Sequence, residues 1–317
     1  RCLGRAVTQK RGGIDPMKQA RPPRRGGVYC VRPRRRPARW ALYAAAVSMA
    51  AGLLSACVGQ VGRVLAPEGF GGVPCMPEPA AESRDTGDPE RPYTLQTAPP
   101  YTVALDAGHG GMDTGAHSRH VEEVAVCEQT VDALYDWLEK DPNYEPVRAR
   151  ENGVDLSIAD RVKNVTERQA SLLLSIHANY DGSTRQSHGF ECFPTPPGRV
   201  YSGESLRAAQ CLAEAMGQAG HRLRGGNGVR FAYYYGKRKK IVDSTDTKPR
   251  AEKSFGIVEQ PHCPAVLVEQ CFLSNSSDYD AWASPAGCRR AGRVYYEAVC
   301  AYFGTEPLPK AQAAAPQ

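Results

Sequence analysis

The sequence contains no Cys-x-x-Cys pair, although it has eleven cysteines. Without such a pair, a zinc ribbon and a thioredoxin-like redox site are both excluded. Several of the cysteines fall inside apolar runs, where a thiol behaves as a small hydrophobic group. We therefore expect most of them in the core. If the folded part lies outside the cytoplasm, one or two disulfides are also compatible with the sequence.

Acidic residues are almost absent from the first 40 positions, which carry eleven Arg and two Lys against Asp15 alone. The net charge of this segment is +12 and that of the whole chain is +6, so residues 41–317 carry a net charge of −6. The positive charge belongs to the amino-terminal segment and not to the rest of the chain. This distribution argues against a DNA or RNA partner.

The amino-terminal pattern is typical of membrane targeting. Residues 1–40 form a predicted basic cytoplasmic or signal n-region, and residues 41–61 form an uncharged hydrophobic segment. Leu-Ser-Ala-Cys at positions 54–57 resembles a lipoprotein signal, so Cys57 can become a lipidated amino terminus. Alternatively, the segment stays uncleaved as a signal anchor. We expect the rest of the chain outside the cytoplasm in the cell envelope, tethered to the membrane or released after signal cleavage.

Sustained apolar periodicity is missing from residues 62–98 and 306–317, and no internal repeat is visible. We predict a flexible linker over 62–98 and a disordered tail over 306–317. The residues between them, 99–305, are long enough for one catalytic domain with a full core.

Within that domain, short apolar runs alternate with helical patterns. The pattern at Ser157 predicts a helix N-cap, and another helix is expected to begin at Ser284-Pro285 and end at Gly304. The alternation predicts an α/β fold, a single-domain three-layer sandwich with a twisted, mostly parallel central sheet flanked by helices. Strands are predicted at 101–105, 172–176, 188–193 and 265–268.

Two histidines follow predicted buried strands, His109 after the first and His177 after the second. The carboxyl ends of strands in an open α/β sheet gather ligands and metals, so the two imidazoles can converge on one ion. Glu123 lies four residues before Cys127 on the apolar stripe of the next helix, whereas Glu122 points away from that stripe. A buried carboxylate needs a partner, and a metal ion is one. The alternative for Glu123 is a helix-dipole interaction.

Glu269 ends the apolar strand at 265–268 and is a second strand-end acid. Such a group can act as a general base and then a general acid, or it can form a structural salt bridge. The other five histidines have no recognisable metal-site spacing, so we predict that they are not ligands: His117, His120, His188, His221 and His262.

Four motifs in order resemble the zinc-dependent N-acetylmuramoyl-L-alanine amidases of bacterial cell walls. They are Asp-Ala-Gly-His-Gly-Gly at 106–111, Glu123, Ser-Ile-His-Ala-Asn at 175–179 and the segment at 264–275. The resemblance covers roughly residues 101–303 and implies a sheet of about six strands. It also implies Zn²⁺ on His109, Glu123 and His177, and Glu269 as the catalytic acid. Cys271 stands where that family usually has Gly, which predicts a local packing adjustment.

The implied reaction is hydrolysis of the amide between N-acetylmuramic acid and L-alanine in peptidoglycan, by a monomer without an organic cofactor. Two alternatives stay open: a zinc peptidase that acts within the stem peptide, and a non-catalytic wall-binding or regulatory module. The segment at 225–254, rich in Gly, Tyr and Lys, either lines the groove for glycan and acidic stem peptide or forms a solvated hairpin.

Overall fold

The computed structural model describes residues 95–310. The centre of this part is a five-stranded sheet in the order β2-β1-β3-β7-β4. Neighbouring strands run parallel except β4, which is antiparallel to β7 at one edge. A separate antiparallel hairpin consists of β5 and β6. The strands are β1 (Tyr101–Ala107), β2 (Tyr144–Arg148), β3 (Leu172–Asn179), β4 (Glu191–Pro194), β5 (Arg230–Tyr235), β6 (Arg238–Asp243) and β7 (Ala265–Phe272).

Helices cover both faces of the sheet. The long helices α1, α3 and α6 lie on one face, and α2, α4 and the β5–β6 hairpin lie on the other. A π-helical turn at Tyr279–Ala283 leads into the last helix. The helices are α1 (Glu123–Lys140), α2 (Ile158–Glu167), α3 (Ser202–Gln218), α4 (Gly256–Glu259), α5 (Ser276–Asp278) and α6 (Pro285–Phe303).

The alternation of side chains along each strand divides the core into two layers. In β3, Leu172 and Leu174 pack under the long helices, whereas Leu173 packs on the opposite face. Val266 and Leu267 of β7 divide in the same way. Because both faces are covered, the central strands are continuously apolar, as is typical of parallel sheets. The predicted mostly parallel three-layer α/β sandwich is confirmed.

The central sheet has five strands in residues 95–310, one fewer than the approximate six that the resemblance implied. The four predicted strands are present, and β2 was missed. β2 is an edge strand with Pro146 and alternating burial, so it has no continuous apolar run. The chain that follows α3 pairs beside β4 only through isolated bridges at Leu223 and Val229, and it then forms the β5–β6 hairpin instead of a sixth strand.

Three predicted helix boundaries are confirmed. Ser157 precedes α2, and its side chain accepts a hydrogen bond from the Asp160 backbone. Ser284 caps α6 in the same manner, and Gly304 ends that helix at φ 72°, in the left-handed region that favours glycine. All seven cysteines between residues 95 and 310 are buried, in agreement with the expected core positions, and these include Cys271.

Contacts extend beyond both ends of the predicted 99–305 domain. The Gln96 side chain accepts hydrogen bonds from the Thr102 backbone and the Ser171 hydroxyl. Leu308 packs against the helical core, and its backbone N–H donates to the Tyr296 hydroxyl. The predicted n-region, hydrophobic segment, Cys57 and most of the linker and tail lie outside the described residues. Between residues 95 and 310, no helix is both long and apolar enough to cross a bilayer.

A substitution at Gly292 tests the packing of α6 on α1. A Cβ atom there would lie 2.7 Å from Ala133 Cβ and 2.9 Å from the backbone N of Leu134. Because backbone cannot move aside, Gly292→Ala should lower the free energy of unfolding by about 1–3 kcal/mol, measured by urea denaturation.

Gly203 is the matched control because a Cβ there meets no atom within 4 Å. Gly203→Ala should be neutral or stabilising by up to about 1 kcal/mol, since alanine favours helix. Equal effects of the two substitutions would contradict the close approach of the helices.

Candidate metal centre and active site

The strand-end residues meet at one edge of the sheet. The β3–β7 register places His177 opposite Glu269, and the β4–β7 register places Glu191 opposite the same Glu269. These three side chains lie in one row across three strands. Strand alternation turns the row toward the face that carries α2, α4 and the hairpin.

His109, Glu123 and His177 converge at this edge. Oε1 of Glu123 lies 3.0 Å from Nε2 of His109 and 3.2 Å from Nδ1 of His177. One potential ligand atom from each residue lies within 4.8 Å of the others. Among residues 95–310, this is the only group of three His, Cys, Asp or Glu side chains arranged to hold a metal ion.

Glu123 is buried at the first turn of α1, and its neighbour Glu122 is exposed. Its carboxylate accepts hydrogen bonds from the backbone N–H groups of Ala116 and Ala178. Burial alone would raise the pKa of Glu123, but the hydrogen bonds to His109 and His177 hold it well below its usual range. The inward direction predicted from helical spacing is confirmed.

The orientation of the His109 ring is fixed by a second acid. Nδ1 of His109 lies 2.9 Å from Oδ2 of Asp113. Burial lowers the pKa of His109, but hydrogen bonds and charge from Glu123 and Asp113 outweigh this effect and raise it to about 9. The site thus favours a positive charge between Glu123 and the imidazoles. A proton on His109 supplies such a charge, and so does a divalent cation.

The backbone of His109 adopts φ 63°, a left-handed conformation that costs a non-glycine residue about 1–2 kcal/mol. Two buried arginines hold this loop. Arg161 donates to the carbonyl oxygens of Ala107 and His109, and Arg150 donates to those of Ala107 and Gly108. These contacts compensate for the strain and set the direction of the imidazole.

Arg161 also forms a buried ion pair with Asp106 at 2.9 Å, and Ser175 donates to the same carboxylate. Sequence analysis missed the role of Arg161, although a signal was present. It lies on the apolar stripe of α2, three residues after Ile158 and four before Val165. A charge on such a stripe needs a buried partner.

Glu269 differs from its neighbours because its Oε2 atom is buried without a hydrogen-bond partner in the described part of the chain. Burial, helped by the negative charge of Glu123, raises the pKa of Glu269 to about 7. A group with a pKa near neutrality exchanges protons readily at physiological pH. The geometry therefore suits Glu269 for proton transfer.

Glu191, which sequence analysis missed, is buried beside Glu269 and fully paired. It lies 2.6 Å from Arg230 Nη1 and 3.3 Å from Arg224 Nε, and Asn179 donates to it at 2.8 Å. The signal was an acid between apolar Phe190 and Cys192. Its partners are distant in sequence, so spacing could not identify them.

The other five histidines lie apart from this group. His117 contacts Thr114 and Glu122, and His120 stacks on Tyr279. His188 contacts Arg222, and His221 is buried against Trp282. Within residues 95–310, no metal-binding group includes any of the five, His262 among them.

Comparison with known proteins identifies the family of this chain. A profile of the N-acetylmuramoyl-L-alanine amidase family matches residues 103–301. The chain belongs to this family. The match includes the strand-end histidines, Glu123 and Glu269.

Individual amidases are similar over the same region. The probable amidase AmiB of Haemophilus influenzae is 29% identical over 228 residues, which cover 65% of this chain and 52% of that protein. This chain thus spans about half the length of that relative. The amidase LytC of Bacillus subtilis is 25% identical, over 64% of this chain and 35% of its own length.

Solved amidase structures share the fold. The catalytic domain of CwlV from Bacillus (Paenibacillus) polymyxa var. colistinus has 25% identity and a TM-score of 0.52, over 65% of this chain and 99% of that domain. An amidase from Clostridium difficile 630 has 22% identity and a TM-score of 0.53, over 67% and 100% of the two chains. The second likeness concerns the fold alone.

A substitution at Gly108 tests the geometry of the proposed metal site. A Cβ atom there would overlap the imidazole ring of His177. Gly108→Ala should therefore displace one donor and weaken Zn²⁺ binding at least about tenfold, a loss of about 1.4 kcal/mol, measured by titration against a competing chelator.

The control is Gly226→Ala, because a Cβ at Gly226 makes only an ordinary contact, 3.4 Å from Asp243. This variant should bind Zn²⁺ like the unmodified protein. Unchanged affinity in Gly108→Ala would show that His177 does not take part in binding.

Proposed function

We propose that this protein is a zinc-dependent N-acetylmuramoyl-L-alanine amidase. It hydrolyses the amide between the lactyl group of N-acetylmuramic acid and the L-alanine of the stem peptide. The observation that carries the proposal is the juxtaposition, at one sheet edge, of a two-histidine, one-carboxylate cluster with Glu269 and its unpaired oxygen. Membership of the amidase family supports the choice of bond.

The donor set fits zinc. Catalytic zinc is commonly bound by three protein ligands that include two histidines and a carboxylate. Atoms that share a tetrahedral zinc at about 2.0–2.1 Å lie about 3.3 Å apart, close to the 3.0 and 3.2 Å separations from Glu123 to the two imidazoles. We assign His109, Glu123 and His177 as the ligands. Asp113 orients His109 from behind, as carboxylates commonly do for metal-binding histidines.

When bound, zinc supplies Lewis acidity that polarises a carbonyl and makes water acidic near neutral pH. The protein's own part is proton transfer by Glu269. Glu269 accepts the proton of the attacking water at its carboxylate and then donates it to the departing nitrogen of L-alanine. Its unpaired Oε2 is available for this exchange because no other side chain between residues 95 and 310 bonds to it.

We also propose that the amidase acts outside the cytoplasm, where peptidoglycan lies, either tethered to the membrane or released after signal cleavage. Support comes from the basic and hydrophobic segments at 1–40 and 41–61 and from the possible lipidation of Cys57. Tethering keeps an enzyme near a wall substrate. The residues concerned lie outside the described part of the chain.

Mass spectrometry of digested peptidoglycan tests the activity. The amidase should release whole stem peptides with a new alanine amino terminus and leave intact glycan strands. A chelator should stop this release, and added Zn²⁺ should restore it. Shortened stem peptides would identify a peptidase instead, and binding to peptidoglycan without any release would identify a non-catalytic module.

Glu269→Gln tests the assignment of the general base. The amide side chain keeps the shape but cannot accept the proton, so kcat should fall about 10²–10⁴-fold while Zn²⁺ content stays the same. Rates are measured by release of stem peptide, and metal content by elemental analysis.

Glu145→Gln is the control, because Glu145 is exposed on edge strand β2. It should leave kcat unchanged. Full activity of Glu269→Gln would remove Glu269 from the mechanism, whereas a loss of Zn²⁺ in that variant would indicate a role as a ligand.

A further inference from the structure

A cleft of about 410 Å³ leads to the proposed metal centre. Its lining includes His109, Asp113, His177 and Glu269. Phe255, at the start of α4, also lines the cleft. Glu269 and the Phe255 ring therefore face the same cleft.

The β5–β6 hairpin packs against Phe255 beside the cleft. Tyr234 pairs with Lys239 across the hairpin, so both side chains lie on the same face. Both contact Phe255: the Tyr234 ring is 5.7 Å from it at 81°, and Nζ of Lys239 is 5.3 Å from its centroid. The segment at 225–254 thus contains a hairpin, and one face of this hairpin contacts Phe255, which lines the cleft.

Lys239 differs from the arginines around the site because it lacks a carboxylate partner. Arg161 pairs with Asp106, and Arg230 pairs with Glu191. Among residues 95–310, no carboxylate oxygen lies within the 4.0 Å salt-bridge distance of Lys239 Nζ. The Lys239 charge nevertheless acts on Glu269, where it lowers the pKa against the larger effect of burial. Lys239 is thus an unpaired cation close to the catalytic acid.

The adjacent lysine provides an internal comparison. Lys240 pairs with Tyr233, so strand alternation places it on the other face of the hairpin. Its charge acts on Asp246, and the ring of Tyr233 is covered by Arg250. Two exposed lysines, adjacent in sequence, therefore differ in whether they lie against Phe255.

We propose that Lys239, held against Phe255 and Tyr234, binds a carboxylate of the acidic stem peptide and so forms a substrate subsite of the cleft. This inference rests on the proposed amidase function. The aromatic rings form an apolar surface against which Lys239 and the substrate carboxylate pair. The subsite makes the enzyme selective for stem peptides whose carboxylate is free over those in which it is amidated.

The test compares synthetic muropeptides that differ only in whether one stem carboxylate is free or amidated, each carboxylate being examined in turn. The unmodified full chain should favour one acidic form in kcat/KM by about three- to tenfold, mainly through KM. Lys239→Met should abolish that preference, and Lys239→Arg should largely keep it. Lys240→Met should keep it fully, although it removes the same charge. The preference should weaken with added salt.

An equal loss of activity by Lys239→Met on acidic and amidated substrates would overturn the proposal, since it would mean that Lys239 acts on Glu269 and not on the substrate. Identical behaviour of Lys239→Met and Lys240→Met would also overturn it. Calorimetric binding of the stem peptides separates this inference from the proposed function. If no amide is cleaved but Lys239 still selects the acidic peptide, the subsite proposal is supported and the proposed amidase function is rejected.

Discussion

The cost of burying carboxylates at one sheet edge constrains the rest of the site. An unpaired ionised carboxylate loses several kcal/mol of hydration in a protein interior. Four carboxylates nevertheless lie at the carboxyl ends of the central strands or beside them: Asp106, Glu123, Glu191 and Glu269. Three are compensated: Asp106 by an arginine and a hydroxyl, Glu123 by two imidazoles and two amides, and Glu191 by two arginines and an amide. Glu269 alone among these four keeps a buried oxygen without a partner. Its pKa of about 7 follows from this difference, because burial acts on it without an opposing hydrogen bond.

The layer arrangement was predictable where a single strand carries its own signal. β1, β3 and β7 are covered on both faces, so each is a continuous apolar run that can be recognised without knowledge of its neighbours. β2 is different because it lies at the sheet edge, contains Pro146 and buries only part of its side chains. The sequence did not decide whether the segment of the hairpin lines a groove or is solvated. The β6 strand is largely charged, and the hairpin packs through only a few residues, such as Ile241. Edge elements depend on tertiary contacts that local periodicity does not record.

The same distinction applies to the site. The convergence of His109 and His177 follows from the rule that parallel strands end at the same edge, and the direction of Glu123 follows from helical spacing. The charges that support these groups could not be derived so directly. Arg161 was detectable only as a charge on an apolar stripe, and the pairing of Glu191 with Arg230 joins β4 to the start of β5. Sequence patterns identify which groups are buried, whereas the identity of their partners depends on how distant segments pack.

The strained loop and the hairpin show that the site depends on contacts from several distant segments of the chain. His109 holds its left-handed conformation only because Arg161 and Arg150 bind the carbonyl oxygens around it, and these arginines come from α2 and from the residues that follow β2. Phe255 in the cleft lining and Lys239 beside it depend on α4 and the hairpin. The metal donor Glu123 comes from α1 on one face of the sheet, whereas α4 and the hairpin pack on the other face. A change in the packing of α4 and the hairpin should therefore alter substrate selection more than metal binding, since neither segment carries a metal donor.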